Sequence, residues 1–146
     1  MDEILSQALE QIRQGDYSVA VLQNGAISQT APGRGIRPIL DLYDAGLLNG
    51  AVVCDRIVGK AAAMIFVLGG VEAVYGLVVS AAARTYLLER GIPVWQESGV
   101  AQIINRTGTG MCPMEETVLA LEDPEVGRQA LLEKLAQPQG GAPGPS

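Results

Sequence analysis

Residues 51–96 read AVVCDRIVGKAAAMIFVLGGVEAVYGLVVSAAARTYLLERGIPVWQ, and the alternation inside this stretch decides the fold. Ala51 to Cys54 has the composition of a short apolar strand, and Asp55 stands where a helix would be entered. Val58 to Leu68 follows as a helix apolar on nearly all sides, which places it in the interior. Val71 to Val79 reads as a buried strand, Ala81 to Arg90 as a helix closed by Gly91, and Ile92 to Gln96 as another strand. Strands alternating with helices of this length imply parallel crossovers and a sheet covered on both faces. The run from Ile57 to Ala83 is apolar enough to be tested as a membrane span, and it fails. Lys60, Glu72 and the Gly69-Gly70 pair interrupt it before either uncharged segment reaches the roughly 20 residues a spanning helix needs.

Ligands of such sheets gather beyond the carboxyl ends of strands, where helices begin. Asp55 and Lys60 follow a strand end in this way and are site candidates. Lys60 is the only charge on its helix and lies in the first turn, where the helix dipole disfavours a cation. Its ammonium must therefore meet an anion or reach solvent, and a snorkelling lysine satisfies the same pattern. Gly59-Lys60 is not a phosphate loop, because no glycine stands at Cys54 and Ala61 replaces the residue that would hold magnesium.

Upstream, Asp2 to Gln14 is an amphipathic helix closed by Gly15, with Ile4, Leu5, Ala8, Leu9 and Ile12 on one face. Tyr17 to Leu22 and Ala26 to Thr30 form a hairpin about Asn24-Gly25. A glycine-rich loop with Arg34 and Arg37 then enters a helix over about Ile39 to Asp44, ended by Gly46. These two arginines suit phosphate or carboxylate, and equally suit a solvated loop.

Downstream of Val100 to Ile104 comes Asn105-Arg106-Thr107-Gly108-Thr109-Gly110-Met111-Cys112-Pro113-Met114-Glu115-Glu116. Gly108 and Gly110 permit close approach of the backbone to a ligand, Pro113 fits a first helical position, and Cys112 falls at the N-cap. Amide donors and the positive helix end favour an anion or a thiolate there. Asn105, Arg106, Thr107, Gly108, Thr109 and Gly110 are ligand-binding candidates, although an ordinary capped loop uses the same residues. The helix runs to about Leu121, and Asp123-Pro124 starts a final helix through Leu135. One domain over 1–136 is expected, followed by a Pro- and Gly-rich disordered tail over 137–146.

The chain has 146 residues, 48% of them hydrophobic, which suffices for one core and excludes wholesale disorder. A net charge of −6 and six aromatic residues argue against polynucleotide binding. Histidine is absent, so Ser-His-Asp and Cys-His mechanisms within one chain are excluded, as is the commonest zinc ligand. Cys54 and Cys112 form neither a C-x-x-C pair nor a disulfide framework. The acidic start at Met1-Asp2-Glu3 is unlike a signal peptide, and a cytoplasmic location without membrane attachment is expected. Asn105-Arg106-Thr107 matches a glycosylation acceptor, which matters only for a secreted protein.

Asp55 to Ala63 together with Ile104 to Glu115 resembles a small bacterial family of unknown function with a cytidine-deaminase-like fold. The likeness covers residues 1 to about 121. It implies an α/β fold of the three-layer α/β/α sandwich type, with an N-terminal helix and β-hairpin followed by strand-helix repeats. Zinc deaminases carry H-x-E or C-x-E at the start of one central helix and P-C-x-x-C at the start of the next. Here those positions hold Val58-Gly59-Lys60 and Ser80-Ala81-Ala82-Ala83, so neither metal nor other cofactor is expected and classical hydrolytic deamination is not.

Three readings of function follow. The first is a metal-free, deaminase-like pocket for a small anionic ligand, nucleotide-like in kind, held by Lys60, Arg106 and the backbone from Gly108 to Cys112. In the second, Cys112 is a nucleophile or redox thiol, Lys60 a base lowered by burial, and Asp55 or Glu115 the group that orients it or moves protons. The third is a protein-binding subunit or scaffold. A homo-oligomer is compatible with each.

Overall fold

The computed structural model describes residues 2–137, so the tail expected over 137–146 lies, Gln137 apart, outside the described residues. The elements run α1 (Glu3–Gln14), β1 (Val19–Gln23), β2 (Ala26–Ala31), α2 (Arg37–Asp44), β3 (Val52–Val58), α3 (Lys60–Gly69), β4 (Ala73–Ser80), α4 (Ala81–Glu89), β5 (Val94–Val100), α5 (Pro113–Val118) and α6 (Pro124–Ala136). This is an α/β fold with an N-terminal helix, a hairpin and then strand-helix units. Asn24 and Gly25 both take positive φ, as a two-residue hairpin turn requires.

The five strands form one mixed sheet in the order β2-β1-β3-β4-β5. β1 is antiparallel to β2 and β3, whereas β3, β4 and β5 are parallel. The carboxyl ends of the three parallel strands therefore share one edge, from which α3 and α4 depart. Alternate residues of β1 serve two cores. Val19 and Val21 join α2, α3, Leu87, Val118 and Leu131, with Phe66, Met64 and Ile65 fully buried. Ala20 and Leu22 face α1, where Ala8, Leu9 and Ile12 pack on Cys54 and Leu77. No helix among the described residues is long and apolar enough to cross a membrane.

The strand alternation slips midway along the parallel strands. Val53 and Val58 belong to the same core although five residues apart, as do Val74 and Val79. Between them the β3–β4 register passes from Asp55↔Gly76 to Ile57↔Val78, leaving Arg56 outside the pairs. A β-carbon at Gly76 would overlap the side chain of Val79 and press on that of Val58, so the slip is built where a side chain is missing.

Several sequence-predicted boundaries move. β3 does not end at Cys54 but runs to Val58, because Asp55 is paired on one side with Val19 and on the other with Gly76. Asp55 is thus a buried strand residue, not a helix entry, and Gly59 takes the N-cap of α3. The last parallel strand begins and ends later than 92–96, and the helix from Pro113 stops at Val118 rather than Leu121.

Candidate functional site

α3 begins without a side-chain cap of its own. Its N-cap is Gly59, and the first amides would be orphaned in the interior. Glu115 of α5 supplies what is missing. Its carboxylate accepts from the backbone N–H of Lys60 at 2.7 Å and of Ala61 at 2.9 Å. Glu115 itself is buried, so these are charge-assisted bonds in a poorly solvated place, reinforced by the positive end of the helix. A β-carbon at Gly59 would overlap that carboxylate. Gly59 has φ −102° and ψ 178°, which any residue adopts, so glycine is needed there for space and not for conformation.

The side chain of Lys60 runs the other way. Its Nζ donates to the carbonyl of Leu119 at 3.0 Å and to Glu122 Oε2 at 3.1 Å. The ammonium lies 5.8 Å from the Tyr86 ring centre, and the Arg90 guanidinium stacks on the same ring at 3.5 Å. Tyr86 Oη donates to the Glu122 carbonyl at 2.7 Å, and Arg90 donates to it at 3.0 Å. Glu122 is held below the usual carboxylate range by Lys60, while burial raises the Tyr86 phenol. Lys60 is therefore a two-ended clamp: its amide grips the start of α5 and its ammonium grips the chain after its end.

Between these grips lies a cavity of about 190 Å³, lined by Lys60, Ser80, Ala82, Ala101, Gln102, Met111, Glu115 and Leu119. It opens beyond the carboxyl ends of the parallel strands. Ser80 is 1% exposed and caps α4, its Oγ accepting from the Ala83 amide at 3.1 Å. Ser80 and Ala82 thus bring the start of α4 into the cavity wall.

The two segments singled out in the sequence do meet, but through Glu115 rather than through the glycine loop. Residues 105–110 close on themselves. Asn105 Oδ1 accepts from the Thr109 amide at 3.0 Å and from Thr107 Oγ1 at 3.1 Å, and the Gly108 amide donates to the Asn105 carbonyl. The Cys112 amide donates to the Ile103 carbonyl, and Ile104 and Met111 form an antiparallel bridge. Three of the expected donors, the amides of Gly108, Thr109 and Cys112, are thus already spent, the Thr109 amide on an Asn105 side chain that imitates a backbone turn. Arg106 is exposed on this loop and does not line the cavity. Arg34 and Arg37, beyond the far end of the sheet order after β2, are exposed and do not line it either.

Cys112 is the half-buried N-cap of α5, also outside the lining, and makes no side-chain cap bond. Cys54 faces α1 on the opposite side of the sheet, and burial pushes its thiol up to about 12. Asp55, wholly buried, is raised to about 8 by desolvation, against the smaller opposing pull of the Arg56 and Ile57 amides. The site residues that sequence reasoning missed are Ser80, Gln102, Tyr86 and Glu122. Ser80-Ala-Ala-Ala carries an N-cap signal; the other three carry none.

A zinc centre does not fit here. Among the described residues no three Cys, Asp or Glu side chains gather as ligands, and both Glu115 oxygens are engaged by amides.

Comparison with known proteins agrees with the architecture. The model of a domain of unknown function, DUF1893, matches residues 7–135. Among solved structures, the crystal structure of a DUF1893 family protein (TM1506) from Thermotoga maritima at 2.70 Å resolution is similar, with a TM-score of 0.82 and 26% sequence identity. The match covers 92% of this chain and 91% of that one. No curated protein matches.

Proposed function

We propose, from the premise that the chain belongs to the DUF1893 family, that it is a ligand-binding domain whose site is the cavity at the starts of α3 and α4. On this reading the fold is a three-layer α/β/α, cytidine-deaminase-like sandwich, with α1 as one outer layer and the remaining helices as the other. The place where deaminases hold zinc has been given to Glu115, and the domain retains the pocket without the metal. The ligand is small and carries an anionic or hydrogen-bond-accepting group, which Ser80 and the start of α4 would receive.

The observation that carries this reading is the cavity itself, concave, at the carboxyl edge of a parallel sheet, with buried Ser80, Lys60 and Glu115 in its wall. Its volume limits the occupant. Sites for drug-sized ligands span roughly 300–1,000 Å³, so the enclosed part here takes a fragment such as phosphate or a short carboxylate, and a whole nucleotide would protrude. The thiol reading draws no support from this geometry, because Cys112 is not in the wall and Lys60 is engaged elsewhere.

Thermal unfolding against inorganic phosphate and a series of two- to four-carbon carboxylates tests the proposal. A ligand present at about a hundred times its Kd raises stability by about 2.7 kcal/mol, or roughly 9 °C in Tm for a chain of this size. Ala82→Leu, which fills the cavity from a helix position that favours leucine, is expected to abolish that shift while leaving the ligand-free Tm nearly unchanged. An equal shift in Ala82→Leu, or no shift with any probe, overturns the reading.

A further inference from the structure

Residues 101–118 leave the sheet after β5 and return through α5 to the body of the fold. Their hydrogen bonds are mostly internal: Asn105 with Gly110, Gly108 with Asn105, Cys112 with Ile103, Thr117 with Pro113. Among the described residues, and its own flanks aside, the hydrogen bonds that tie this segment to the rest are the two that Glu115 accepts. Apolar attachment is concentrated at the same end, where Val118 is fully buried and Met114 packs on the core. Ala101, Gln102, Met111 and Glu115 of this segment form half of the cavity wall, and the fixed half includes Ser80 and Ala82 of the sheet edge and α4.

We infer that residues 101–118 are a flap over the cavity, hinged after Val100 and at Leu119, with Glu115 on the α3 amides as its clasp. The Lys60 ammonium holds the second hinge through the Leu119 carbonyl and is independent of the clasp. Opening the flap exposes the cavity and frees the Lys60 and Ala61 amides together, while the ladder of β3, β4 and β5 stays closed. A segment held by a few local bonds and by one short buried end, Met114, Glu115 and Val118 against α3 and α6, opens below the free energy of global unfolding. The flap goes beyond the binding proposal and closes the same cavity whether or not a ligand enters it.

Native-state hydrogen exchange on the full chain reads this directly. In the unmodified protein the amides of Lys60 and Ala61 are expected to exchange through one shared opening, faster than those of β4. Glu115→Gln should speed these two amides on the order of tenfold to a hundredfold and leave β4 unchanged. Gly59→Ala provides the second variant. Its backbone is unstrained, and the added methyl displaces the carboxylate, so it should reproduce the same pattern, and the double variant should add nothing further. Equal acceleration at β4, no acceleration at the two amides, or additive effects in the double variant each overturn the flap.

Discussion

Glu115→Ala is expected to lower the free energy of unfolding by roughly 3 kcal/mol and to reduce the denaturant dependence of unfolding as well. The first effect follows from losing two charge-assisted bonds while two amides at the start of α3 stay buried without an acceptor. Truncation is costlier than the net worth of the contact, since the donors cannot follow the carboxylate into solvent. The second effect follows from the flap. If 101–118 opens in the native state of the variant, less surface remains to be exposed on unfolding, and m falls with it. Trp95 is a suitable probe, because it packs with Tyr75 against the α1 core and reports the sheet rather than the flap. Glu115→Gln keeps one acceptor and should lose about half as much. A loss below about 1 kcal/mol for Glu115→Ala, with m unchanged, would show that solvent replaces the carboxylate without penalty.

That contact also marks where sequence stops informing. The hairpin at Asn24-Gly25 and the strand-helix alternation are local properties, set by turn chemistry and hydrophobic period, and their order is legible although several bounds move. The clasp joins residues 55 positions apart, so no window contains it. A weak signal exists on one side only: Gly59-Lys60 starts a buried helix with no Ser, Thr, Asp or Asn to cap it, which announces that some distant acceptor must. The glycine loop misled for the opposite reason. Glycines and threonines that suit an anion suit an Asn-centred turn as well, and Asn105 in the right register takes the Gly108 and Thr109 amides from the donors that Arg106 was expected to share with a ligand. Lys60 is legible as a charge needing a partner, whereas its partners, Leu119 and Glu122, lie in a link whose first part, Leu119 included, reads as helix.

Asp55 was misplaced because an Asp in an apolar strand contradicts local propensity, and pairing on both sides overrides propensity. The same override gives the second large effect. Desolvation raises the Asp55 carboxyl from 3.8 to about 8 in the folded chain, so between these values the folded state holds a proton that the unfolded state has released. With more protons bound in the native state, stability falls as pH rises through this window, by up to about 1.4 kcal/mol per pH unit, and no longer changes on this account above about 8. Below 3.8 the penalty is absent, because Asp55 is protonated in both states. Asn has nearly the shape of protonated Asp, would sit beside the same Arg56 and Ile57 amides and cannot ionise. Asp55→Asn should therefore match the unmodified protein near pH 4 and surpass it increasingly towards pH 8, the gap widening by roughly 3 kcal/mol between pH 5 and 8. Urea unfolding of both proteins at each pH measures the gap. A constant difference across the range would mean that Asp55 ionises as readily inside as outside. A difference that shrinks as pH rises would mean that the folded protein favours the carboxylate, and with it that this strand position holds a charge for some partner rather than excluding one.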